Sequence, residues 1–492
     1  MTAAEGVTIE PGEPTRAGSP TPSPLRGRRV LVAGAGVSGL SAARYLLRHG
    51  SLVSIADDRA VLPEDLSEVP VHRGLTEPPA GTDLVVVSPG WRPGTPLLVA
   101  AAACGVEVIG DVELAWRHDL AARTGSDLRP WLAVTGTNGK TTTIGMVESI
   151  LQAAGRRAVA SGNVGTGVLD VIDAEPAHDV IAAELSSFQL HWAPTLRPYA
   201  GLLLNLAEDH LDWHGGMAAY TAAKARALSG GTAIAVVDDR AAAAVLAGSP
   251  AARRIAVTGH DPAALAEHWD GALGVRDGML VDDAYGAGAL LPTDEIRPAG
   301  SHNVTNALAA AALTLAVGVT GAEVAAGLRA YTPGGHRNAA VARYRGVRFV
   351  DDSKATNPHA ARASLRDYPS VVWVIGGQLK GASIDELILD VASRLRAAIV
   401  IGVDRDVIDA ALARHAPDVP RLVITGTDDG VMNQVVDAAG EFAVAGDVVL
   451  LAPAAASLDM FSSYAARGQA FADAVHRWGT ADADRPERVG PE

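Results

Sequence analysis

The chain contains little cysteine, few aromatic residues and fewer basic than acidic side chains. Its one cysteine, Cys104, excludes an intramolecular disulfide and a cysteine-cluster metal site, and it suits a reducing cytoplasm. The formal charge is −15, so the basic surface that nucleic acids and anionic membranes require is missing. No apolar run reaches membrane-spanning length, and the N-terminus has no signal-peptide pattern. We therefore expect a cytoplasmic protein that acts on small molecules, without nucleic-acid binding or membrane insertion. We also expect a monomer, although composition does not determine the oligomeric state.

The chain has enough apolar sequence for several cores. It contains 492 residues, of which 48% are hydrophobic and only 4% aromatic, and this length suggests about three domains. Strands rich in Val, Leu and Ala alternate with helical stretches, which predicts the α/β class with parallel strands buried on both faces. The predicted order is a disordered tail at 1–26, a Rossmann-like domain at 27–120, a central P-loop ATPase α/β domain at 121–332, a C-terminal Rossmann-like domain at 333–480 and a disordered tail at 481–492.

A glycine- and threonine-rich run joins a predicted strand, 131–134, to a predicted helix, 144–154. Glycines let backbone N–H groups face the phosphates of a nucleotide, Lys140 can reach the β and γ oxygens, and a threonine hydroxyl can hold Mg²⁺. Val134 stands where the common P-loop pattern has glycine, so the loop is a shortened variant. The candidate ATP-binding residues here are Gly136, Thr137, Asn138, Gly139, Lys140, Thr141 and Thr142.

A second glycine pattern, Gly34-Ala35-Gly36-Val37-Ser38-Gly39, follows the predicted strand at 29–33 and precedes a predicted helix. The next predicted strand ends at Asp57-Asp58-Arg59, close to where a dinucleotide-binding fold places its ribose-binding acid. Alone, this pattern favours an NAD- or FAD-dependent oxidoreductase. The same turn would serve any diphosphate, because the glycines only permit close approach of the backbone to a pyrophosphate.

Charged residues follow two strands of the central section. Glu184 closes a predicted apolar strand, where the Mg²⁺ of a nucleotide needs an oxygen ligand. The run at 205–212 places three acids and His210 just beyond another strand, which predicts a second metal-ligand or charge cluster. Lys224 lies in a helical stretch, and there the sequence by itself indicates an ordinary solvated charge.

Further polar residues lie at helix starts and strand ends. Asn303 and Asn306 share one helix face, and their spacing is equally compatible with binding a base edge and with capping a helix. In the third section the polar groups favour ligand contact at the carboxyl edge of a sheet, although each one could instead be a cap or turn residue. These groups are His336, Arg337, the run at 352–357, Lys380 and Ser457.

Taken together, these motifs resemble the Mur ligases, the ATP-dependent amino-acid-adding enzymes of peptidoglycan precursor synthesis. The resemblance covers roughly residues 28 to 478. Within the family, the runs Asp-Ser-Lys-Ala-Thr-Asn and Ser-Leu-Asp-Met-Phe resemble the branch that adds D-glutamate. The resemblance to the family rests on the following motifs: Thr-Gly-Thr-Asn-Gly-Lys-Thr at 135–141, Gly-Asn-Val-Gly at 162–165, Glu-Leu-Ser-Ser-Phe-Gln-Leu at 184–190, Glu-Asp-His-Leu-Asp at 208–212, His302-Asn303 with Asn306, His336-Arg337, the run at 352–357 and the run at 457–461.

The resemblance implies a site for each ligand. ATP would be held by the phosphate loop, with Asn303 and Asn306 at the adenine and Arg337 and Asp352 contributed by the C-terminal domain. Two Mg²⁺ ions are implied, one near Thr141 and Glu184 and one near His210 and a carbamylated Lys224, and the catalytic residues would be Lys140, His210 and Lys224. The implied UDP-sugar site consists of Gly36, Val37, Ser38, Asp58, Arg59 and Asn163.

The implied substrates are UDP-N-acetylmuramoyl-L-alanine and D-glutamate. The carboxylate of the first would attack the γ-phosphate of ATP, and the amine of the second would then displace phosphate from the resulting acyl phosphate. Closure of the C-terminal domain would bring Arg337 and Lys354 into the site. D-Glutamate would contact Lys354, Thr356, Lys380, Ser457 and Tyr464. This chain departs from relatives at two of these positions: Gln378-Leu379 precede Lys380 where relatives often carry Asp-Gly, and some relatives carry Phe in place of Tyr464.

Three alternatives remain at this stage. An NAD(P)-dependent oxidoreductase would use the glycine turn at 34–39 but leaves the loop at 135–143 unexplained. A nucleotide-sensing protein on a degenerate ligase fold would bind ATP without turnover. A ligase for another amino acid, or one of the folate-polyglutamate type, would keep the phosphate loop, but the folate type lacks a UDP-type N-terminal section.

Overall fold

Three separate β-sheets organise the chain, which confirms the three-domain α/β prediction. The computed structural model describes residues 25–123, 128–265, 267–426 and 430–483. The predicted tails therefore lie almost entirely outside the described residues. Leu25 is buried, with its carbonyl oxygen accepting a hydrogen bond from Ser51 Oγ at 2.9 Å, and the last helix continues to Ala483.

The N-terminal sheet has five parallel strands in the order β3-β2-β1-β4-β5. The strand order reverses between β1 and β4. In such sheets, ligands bind at the carboxyl ends of the strands where the order reverses. The glycine turn lies there, between β1 and α1. The elements are β1 (Arg29–Ala33), α1 (Val37–Arg48), β2 (Leu52–Ala56), β3 (Val71–His72), β4 (Leu84–Val87), α2 (Pro96–Ala103), β5 (Glu107–Gly110) and α3 (Asp111–Ala122).

The central sheet has nine strands in the order β14-β13-β12-β11-β10-β9-β6-β8-β7. The strands from β7 to β12 are parallel, and β13 and β14 add an antiparallel edge that the sequence analysis did not locate. The elements are β6 (Trp131–Thr135), α4 (Lys140–Ala153), β7 (Ala160–Gly162), α5 (Val168–Ile172), β8 (Ile181–Glu184), α6 (Ser187–His191), β9 (Ala200–Leu203), α7 (Leu211–His214), α8 (Met217–Ala225), β10 (Thr232–Val236), α9 (Arg240–Ala247), β11 (Arg253–Val257), β12 (Ala272–Arg276), β13 (Met279–Asp282), β14 (Gly288–Pro292), α10 (Ser301–Ala316) and α11 (Gly321–Ala330).

The C-terminal sheet has six strands in the order β15-β16-β20-β17-β18-β19, all parallel except β15. Apolar clusters cover both of its faces. The elements are β15 (Ala339–Tyr344), β16 (Val347–Asp351), α12 (Pro358–Arg366), β17 (Val371–Gly376), α13 (Asp385–Val391), β18 (Leu395–Ile401), α14 (Arg405–His415), β19 (Arg421–Val423), α15 (Val431–Phe442), β20 (Val448–Leu451) and α16 (Tyr464–Ala483).

The first two domains share one hydrophobic core. Trp116 of α3 packs edge-on against Trp131 of β6, with ring centroids 5.5 Å apart. Asp119 accepts hydrogen bonds from Trp131 Nε1 at 2.8 Å and from Arg129 Nε at 2.9 Å. This buried junction fixes the N-terminal domain against the strand that leads into the phosphate loop.

None of the helices in the described ranges combines the length and the apolar character that a bilayer span requires.

Candidate active site

The phosphate loop turns sharply between β6 and α4. Gly139, the residue before the helix, has a φ of 84°, a conformation that favours glycine. A Cβ atom at this position would lie 2.6 Å from Asn306 Oδ1. The helix carrying Asn306 therefore presses directly on the loop, which brings this predicted residue to the site.

Asn205 holds the loop from the neighbouring strand end, just beyond β9. Its Oδ1 accepts a hydrogen bond from Asn138 N at 2.8 Å, and its Nδ2 donates to Asn138 O at 3.1 Å. The sequence analysis included Asn205 in the charged run but gave it no role. Its position immediately after a strand beside the loop was the available signal.

Two lysines point into the loop. Lys140 Nζ donates to Gly136 O at 2.9 Å and to Thr137 O at 2.8 Å. Lys224, expected from the sequence alone to be solvated, is instead buried, and its Nζ donates to Gly136 O at 2.7 Å. Burial lowers the pKa of both amines, that of Lys224 well below its ordinary value, and the charge of Lys140 lowers the pKa of Lys224 further. Lys224 is buried because the face of α8 that carries it packs against the phosphate loop.

Glu184 lies beside the loop with one carboxylate oxygen unused. Its Oε1 accepts a hydrogen bond from Asn163 Nδ2 at 3.0 Å, and its backbone carbonyl accepts one from Asn163 N at 2.8 Å. Its Oε2 is buried and has no hydrogen-bond partner. A buried, unpaired carboxylate oxygen is costly, and a divalent cation with oxygen ligands would relieve that cost.

His210 precedes α7 in a left-handed conformation, with φ 53°. Its ring packs on Phe188 at 4.7 Å between centroids, and its Nε2 lies 3.4 Å from Asp209 Oδ2. Burial lowers the pKa of this imidazole, which favours the neutral form that binds metals. Among the described residues, no group of three or more His, Cys, Asp or Glu side chains is arranged to hold a metal ion. Ligands of other types would have to complete each site.

The glycine turn of the N-terminal domain is open to solvent. Gly36 and the exposed Val37 begin α1, and no atom lies within 4 Å of a Cβ built at Gly36. Asp57 Oδ2 accepts a hydrogen bond from Ala35 N at 2.9 Å, so Asp57 supports the turn. The predicted Asp58 faces away, toward Gly74 N at 2.6 Å.

The other predicted residues of this turn lie nearby. Arg59 is exposed beyond β2, and Ser38 lies partly buried in the first turn of α1.

Asp111, at the start of α3, is buried next to this turn with its Oδ1 unpaired. Burial raises the pKa of Asp111 even though Ser38 and Gln189 hydrogen-bond to it.

The adenine-site candidates lie on α10. Asn303 and Asn306 are both buried, and Asn306 Nδ2 donates to Asn303 Oδ1 at 3.2 Å. Asn303 Nδ2 also donates to Ala299 O at 3.3 Å. The two amides therefore form one face next to the phosphate loop, as their spacing predicted.

The C-terminal domain reaches the loop through Arg337, whose Nη1 donates to Thr142 Oγ1 at 3.0 Å. Asp352 lies behind it, where its Oδ1 accepts a hydrogen bond from Asn338 N at 3.2 Å and its Oδ2 one from Ser364 Oγ. Burial raises the pKa of Asp352 to about 6. Arg337 thus crosses the junction of the two domains, whereas the hydrogen-bond partners of Asp352 lie within the C-terminal domain.

A second contact joins the same two domains. Asn357 Nδ2 donates to Asn138 Oδ1, and Asn138 Nδ2 contacts His359 Nδ1, both at 2.9 Å. A cleft of about 380 Å³ is lined by Thr141, Arg337, other residues of α4 and the segment after α11. The cleft therefore adjoins Thr141 of the phosphate loop and the segment that leads into the C-terminal domain.

The acceptor candidates line the carboxyl edge of the C-terminal sheet. Lys354 Nζ lies 4.1 Å from the centroid of the Tyr464 ring, and burial lowers the lysine pKa to about 8. Backbone hydrogen bonds of 2.9 Å in each direction between Gln378 and Ala456 bring the loops of Lys380 and Ser457 together. Thr356 follows in the same loop as Lys354, its N donating to Lys354 O at 2.8 Å.

Arg467, in α16, was missed by the sequence analysis. It is buried and donates hydrogen bonds to Ser353 Oγ and Ser353 O, both at 2.9 Å, and to Ala455 O at 3.1 Å and Gly376 O at 3.3 Å. It thus ties together three loops that carry acceptor candidates. No sequence signal distinguished it from the other arginines of the chain.

Three family models match consecutive parts of the chain. The Mur ligase MurD-like N-terminal domain matches residues 28–110, the Mur ligase middle domain residues 134–314, and the Mur ligase glutamate ligase domain residues 336–455. These matches follow the three sheets in order.

Curated relatives match along most of the chain. The UDP-N-acetylmuramoylalanine–D-glutamate ligase of Thermobifida fusca is 51% identical over 473 residues, covering 92% of this chain and 98% of the relative. The proteins of the same name from Nocardia farcinica and Mycobacterium tuberculosis are 49% and 50% identical, covering 92% and 91% of this chain and 97% and 96% of the relatives.

Solved structures share the fold at low identity. The UDP-N-acetylmuramate-alanine ligase of Thermotoga maritima is 17% identical with a TM-score of 0.54, covering 92% of this chain and 99% of that one. The MurF ligase from the same organism, solved with ADP, is 17% identical with a TM-score of 0.52, covering 92% and 96%. With three family models matched in order and relatives at about half identity along nine-tenths of its length, the chain belongs to the Mur ligase family.

Proposed function

We propose that the protein joins D-glutamate to UDP-N-acetylmuramoyl-L-alanine at the expense of ATP, a step in cytoplasmic peptidoglycan precursor synthesis. The names and identities of the curated relatives support this activity. One observation carries it: the C-terminal domain reaches the phosphate loop, where Arg337 Nη1 donates to Thr142 Oγ1 at 3.0 Å and Asn357 Nδ2 donates to Asn138 Oδ1 at 2.9 Å. Groups suited to a nucleotide, a cation and an anionic acceptor therefore meet at one point between two domains.

The reaction begins with ATP in the phosphate loop. A carboxylate oxygen of UDP-N-acetylmuramoyl-L-alanine attacks the γ-phosphorus, the bond to the bridging oxygen breaks, and ADP leaves. Lys140 turns from its own loop carbonyls to the phosphate oxygens, and Arg337 adds a second cation from the C-terminal domain. This placement offsets negative charge as the anionic substrates approach each other.

The amine of D-glutamate then attacks the carbonyl carbon of the acyl phosphate. The carbon–oxygen bond to phosphate breaks, phosphate leaves with one oxygen of the original carboxylate, and the amine loses a proton. Lys354, Thr356, Lys380, Ser457 and Tyr464 would orient the acceptor, with the cationic groups facing its two carboxylates. Arg467 holds their loops in place.

The residues present fit two Mg²⁺ ions. Thr141 and Glu184 would hold the first, since the unpaired Oε2 of Glu184 provides a buried anionic ligand. His210 and a carbamylated Lys224 would hold the second. Only the neutral amine reacts with CO₂, and the lowered pKa of Lys224 supplies that form. When bound, the ions would neutralise charge on the phosphate groups.

The UDP-sugar would lie across the N-terminal turn, with its diphosphate near Gly36, Val37 and Ser38 and its sugar end toward Asn163. Asn163 is held by Glu184, so the reacting end of this substrate would lie beside the first cation. Asp58 and Arg59 are proposed for the uridine end. The domain boundaries near 120 and 332 and the monomeric state remain predictions.

The test is phosphate release from ATP with UDP-N-acetylmuramoyl-L-alanine and one amino acid at a time, with product mass recorded. D-Glutamate, L-glutamate, L-alanine, diaminopimelate and L-lysine form the panel. Turnover with D-glutamate alone is expected. Turnover with a different amino acid would keep the ligase chemistry and reject the acceptor assignment, and no turnover with any of them would reject the proposed function.

A further inference from the structure

The segment 88–92, here called the bridging loop, follows β4 and packs on the glycine turn. Ser88 Oγ donates a hydrogen bond to Gly34 O at 3.4 Å. A Cβ at Gly34 would lie 2.7 Å from Ser88 Oγ and 2.8 Å from Trp91 Nε1, and a Cβ at Gly39 would lie 2.8 Å from Ser88 Oγ. The glycines of the turn thus make room for this loop as well as for a ligand.

The other end of the bridging loop holds the segment that carries His210. Arg92 Nη2 donates to Asp212 Oδ2 at 2.5 Å, and Arg92 Nη1 donates to Asp212 O at 3.2 Å. Trp213 Nε1 donates to Gly90 O at 3.2 Å. Three hydrogen bonds therefore join the N-terminal domain to Asp212 and Trp213.

The segment 209–214 has little structure of its own to fix His210. The helix α7 is only four residues long, and neither of its ends has a side-chain cap. Phe188 packs on both His210 and Trp213, at 4.7 Å between centroids in each case. The His210 ring therefore shares its packing partner, Phe188, with Trp213, whose own side chain donates to Gly90 O.

From this path of contacts we infer that Arg92 and Trp213 are positioning residues that couple the UDP-sugar turn to the cation site at His210. A diphosphate at the turn restrains the bridging loop, the loop restrains Asp212 and Trp213, and these restrain His210. The inference rests on the proposed function. Because coupling between two ligands is reciprocal, the UDP-sugar substrate strengthens cation binding at His210 and the cation strengthens binding of the UDP-sugar.

The probe is Mn²⁺, titrated into the full-length protein with a non-hydrolysable ATP analogue, with and without UDP-N-acetylmuramoyl-L-alanine. Pulsed electron paramagnetic resonance resolves the ¹⁴N coupling of an imidazole ligand, so it follows the His210 site separately from a site with oxygen ligands only. His210→Ala removes this signal and confirms the assignment. The wild-type protein is expected to bind this Mn²⁺ about fivefold more tightly when the UDP-sugar is present.

Two variants weaken the path and one serves as a matched control. Arg92→Ala removes both bonds to Asp212, and Trp213→Phe keeps an aromatic ring but removes the donor to Gly90 O. Arg48→Ala removes another exposed ion pair between the same two domains, Arg48 Nε to Asp173 Oδ2 at 2.9 Å, which lies outside the path. Thermal unfolding of each variant shows whether the fold is retained.

Arg92→Ala and Trp213→Phe are each expected to reduce the UDP-sugar effect by about threefold, a size in line with the small contribution of exposed pairs, and Arg48→Ala to leave it unchanged. An effect that survives in Arg92→Ala and Trp213→Phe, or that Arg48→Ala reduces equally, would overturn the inference. A wild-type protein that adds D-glutamate but shows no UDP-sugar effect would overturn the inference alone. A wild-type protein that neither binds the UDP-sugar nor adds D-glutamate would overturn the proposed function as well.

Discussion

Lys140 and Lys224 donate hydrogen bonds to the same acceptor, the carbonyl oxygen of Gly136, at 2.9 and 2.7 Å. Two amines at one carbonyl repel each other when both are charged, and the charge of Lys140 is one of the causes that lower the pKa of Lys224. An anion beside Lys140, or a negative charge on Lys224 itself, would relieve this repulsion. ATP would supply an anionic partner for Lys140, and conversion of Lys224 to a carbamate would remove the second cation.

The first prediction concerns Lys140. Lys140→Gln keeps a polar side chain, one atom shorter, but loses the charge that would contact the transferred phosphoryl group. We expect kcat for phosphate release to fall by about 10²- to 10³-fold, with thermal unfolding little changed. Steady-state rates at saturating ATP measure this. Full turnover in the variant would contradict the role given to Lys140.

The second prediction concerns Lys224. Protein equilibrated with ¹³C-bicarbonate should show a carbamate carbon in its NMR spectrum, because the lowered pKa of Lys224 increases the fraction of neutral amine. The signal should be absent from Lys224→Gln and present in the matched Lys140→Gln variant. A signal that persists in Lys224→Gln would place the carbamate elsewhere, and its absence from the wild-type protein would reject the modification.

The third prediction separates charge from hydrogen bonding at Glu184. Glu184→Gln can still accept the hydrogen bond from Asn163 Nδ2 through its amide oxygen, but it offers no carboxylate to a cation. The Mg²⁺ concentration for half-maximal activity should rise by about tenfold or more. Glu107→Gln, which changes an acid in an exposed ion pair of the N-terminal domain, should leave it unchanged. Equal Mg²⁺ requirements in all three proteins would exclude Glu184 as a ligand.

The fourth prediction concerns the pH dependence of stability. The folded-state pKa of Asp352, about 6, lies above its ordinary value of 3.8, so the folded protein binds more protons than the unfolded chain between these values. Stability should therefore fall as pH rises through this window, by about 3 kcal/mol in total. Asp352→Asn removes the titration and should unfold at a higher temperature than the wild-type protein at pH 7.5.

A control of opposite sign is available for that experiment. The pKa of Asp447 is lowered: burial alone would raise it, but hydrogen bonds from Ser370, Val444 N and Arg396 outweigh burial. Asp447→Asn should therefore unfold at a lower temperature than the wild-type protein at pH 7.5. An Asp352→Asn protein that behaves in the same way would show that its carboxylate stabilises the fold.

The fifth prediction uses two glycines of one turn. A Cβ at Gly39 would lie 1.8 Å from Gly34 O, so Gly39→Ala should lower the unfolding temperature. Gly36→Ala meets no neighbouring atom and should fold normally, but its methyl group would occupy the approach of a diphosphate. We expect a raised KM for the UDP-sugar and an unchanged KM for ATP in Gly36→Ala. A change in the KM for ATP instead would move the UDP-sugar away from this turn.

Much of the fold could be predicted because its signals are local. Apolar runs that end at glycine or acid marked most of the parallel strands, and consecutive residues defined the phosphate loop. The strands Ala272–Arg276, Met279–Asp282 and Gly288–Pro292, at one end of the central sheet, were missed, since they are short and contain glycine and aspartate, which are depleted in strands.

The parts of the site that were missed depend on tertiary packing. Asp57 and Asp58 are adjacent at a strand end, and only the bend of the chain decides that Asp57 faces the turn. Lys224 and Arg467 look like surface cations in a helical sequence, and only the packing of their helices buries them. The resemblance to a known family supplied a role for Lys224, but the residues alone did not.

The central claim is that ATP activates the carboxylate of UDP-N-acetylmuramoyl-L-alanine as an acyl phosphate. The most direct measurement uses this substrate with ¹⁸O at both oxygens of its carboxylate, together with ATP, Mg²⁺ and D-glutamate, followed by mass analysis of the products. The mechanism predicts one ¹⁸O atom in each inorganic phosphate released and ADP as the nucleotide product. Phosphate without ¹⁸O, or AMP carrying the label, would contradict it.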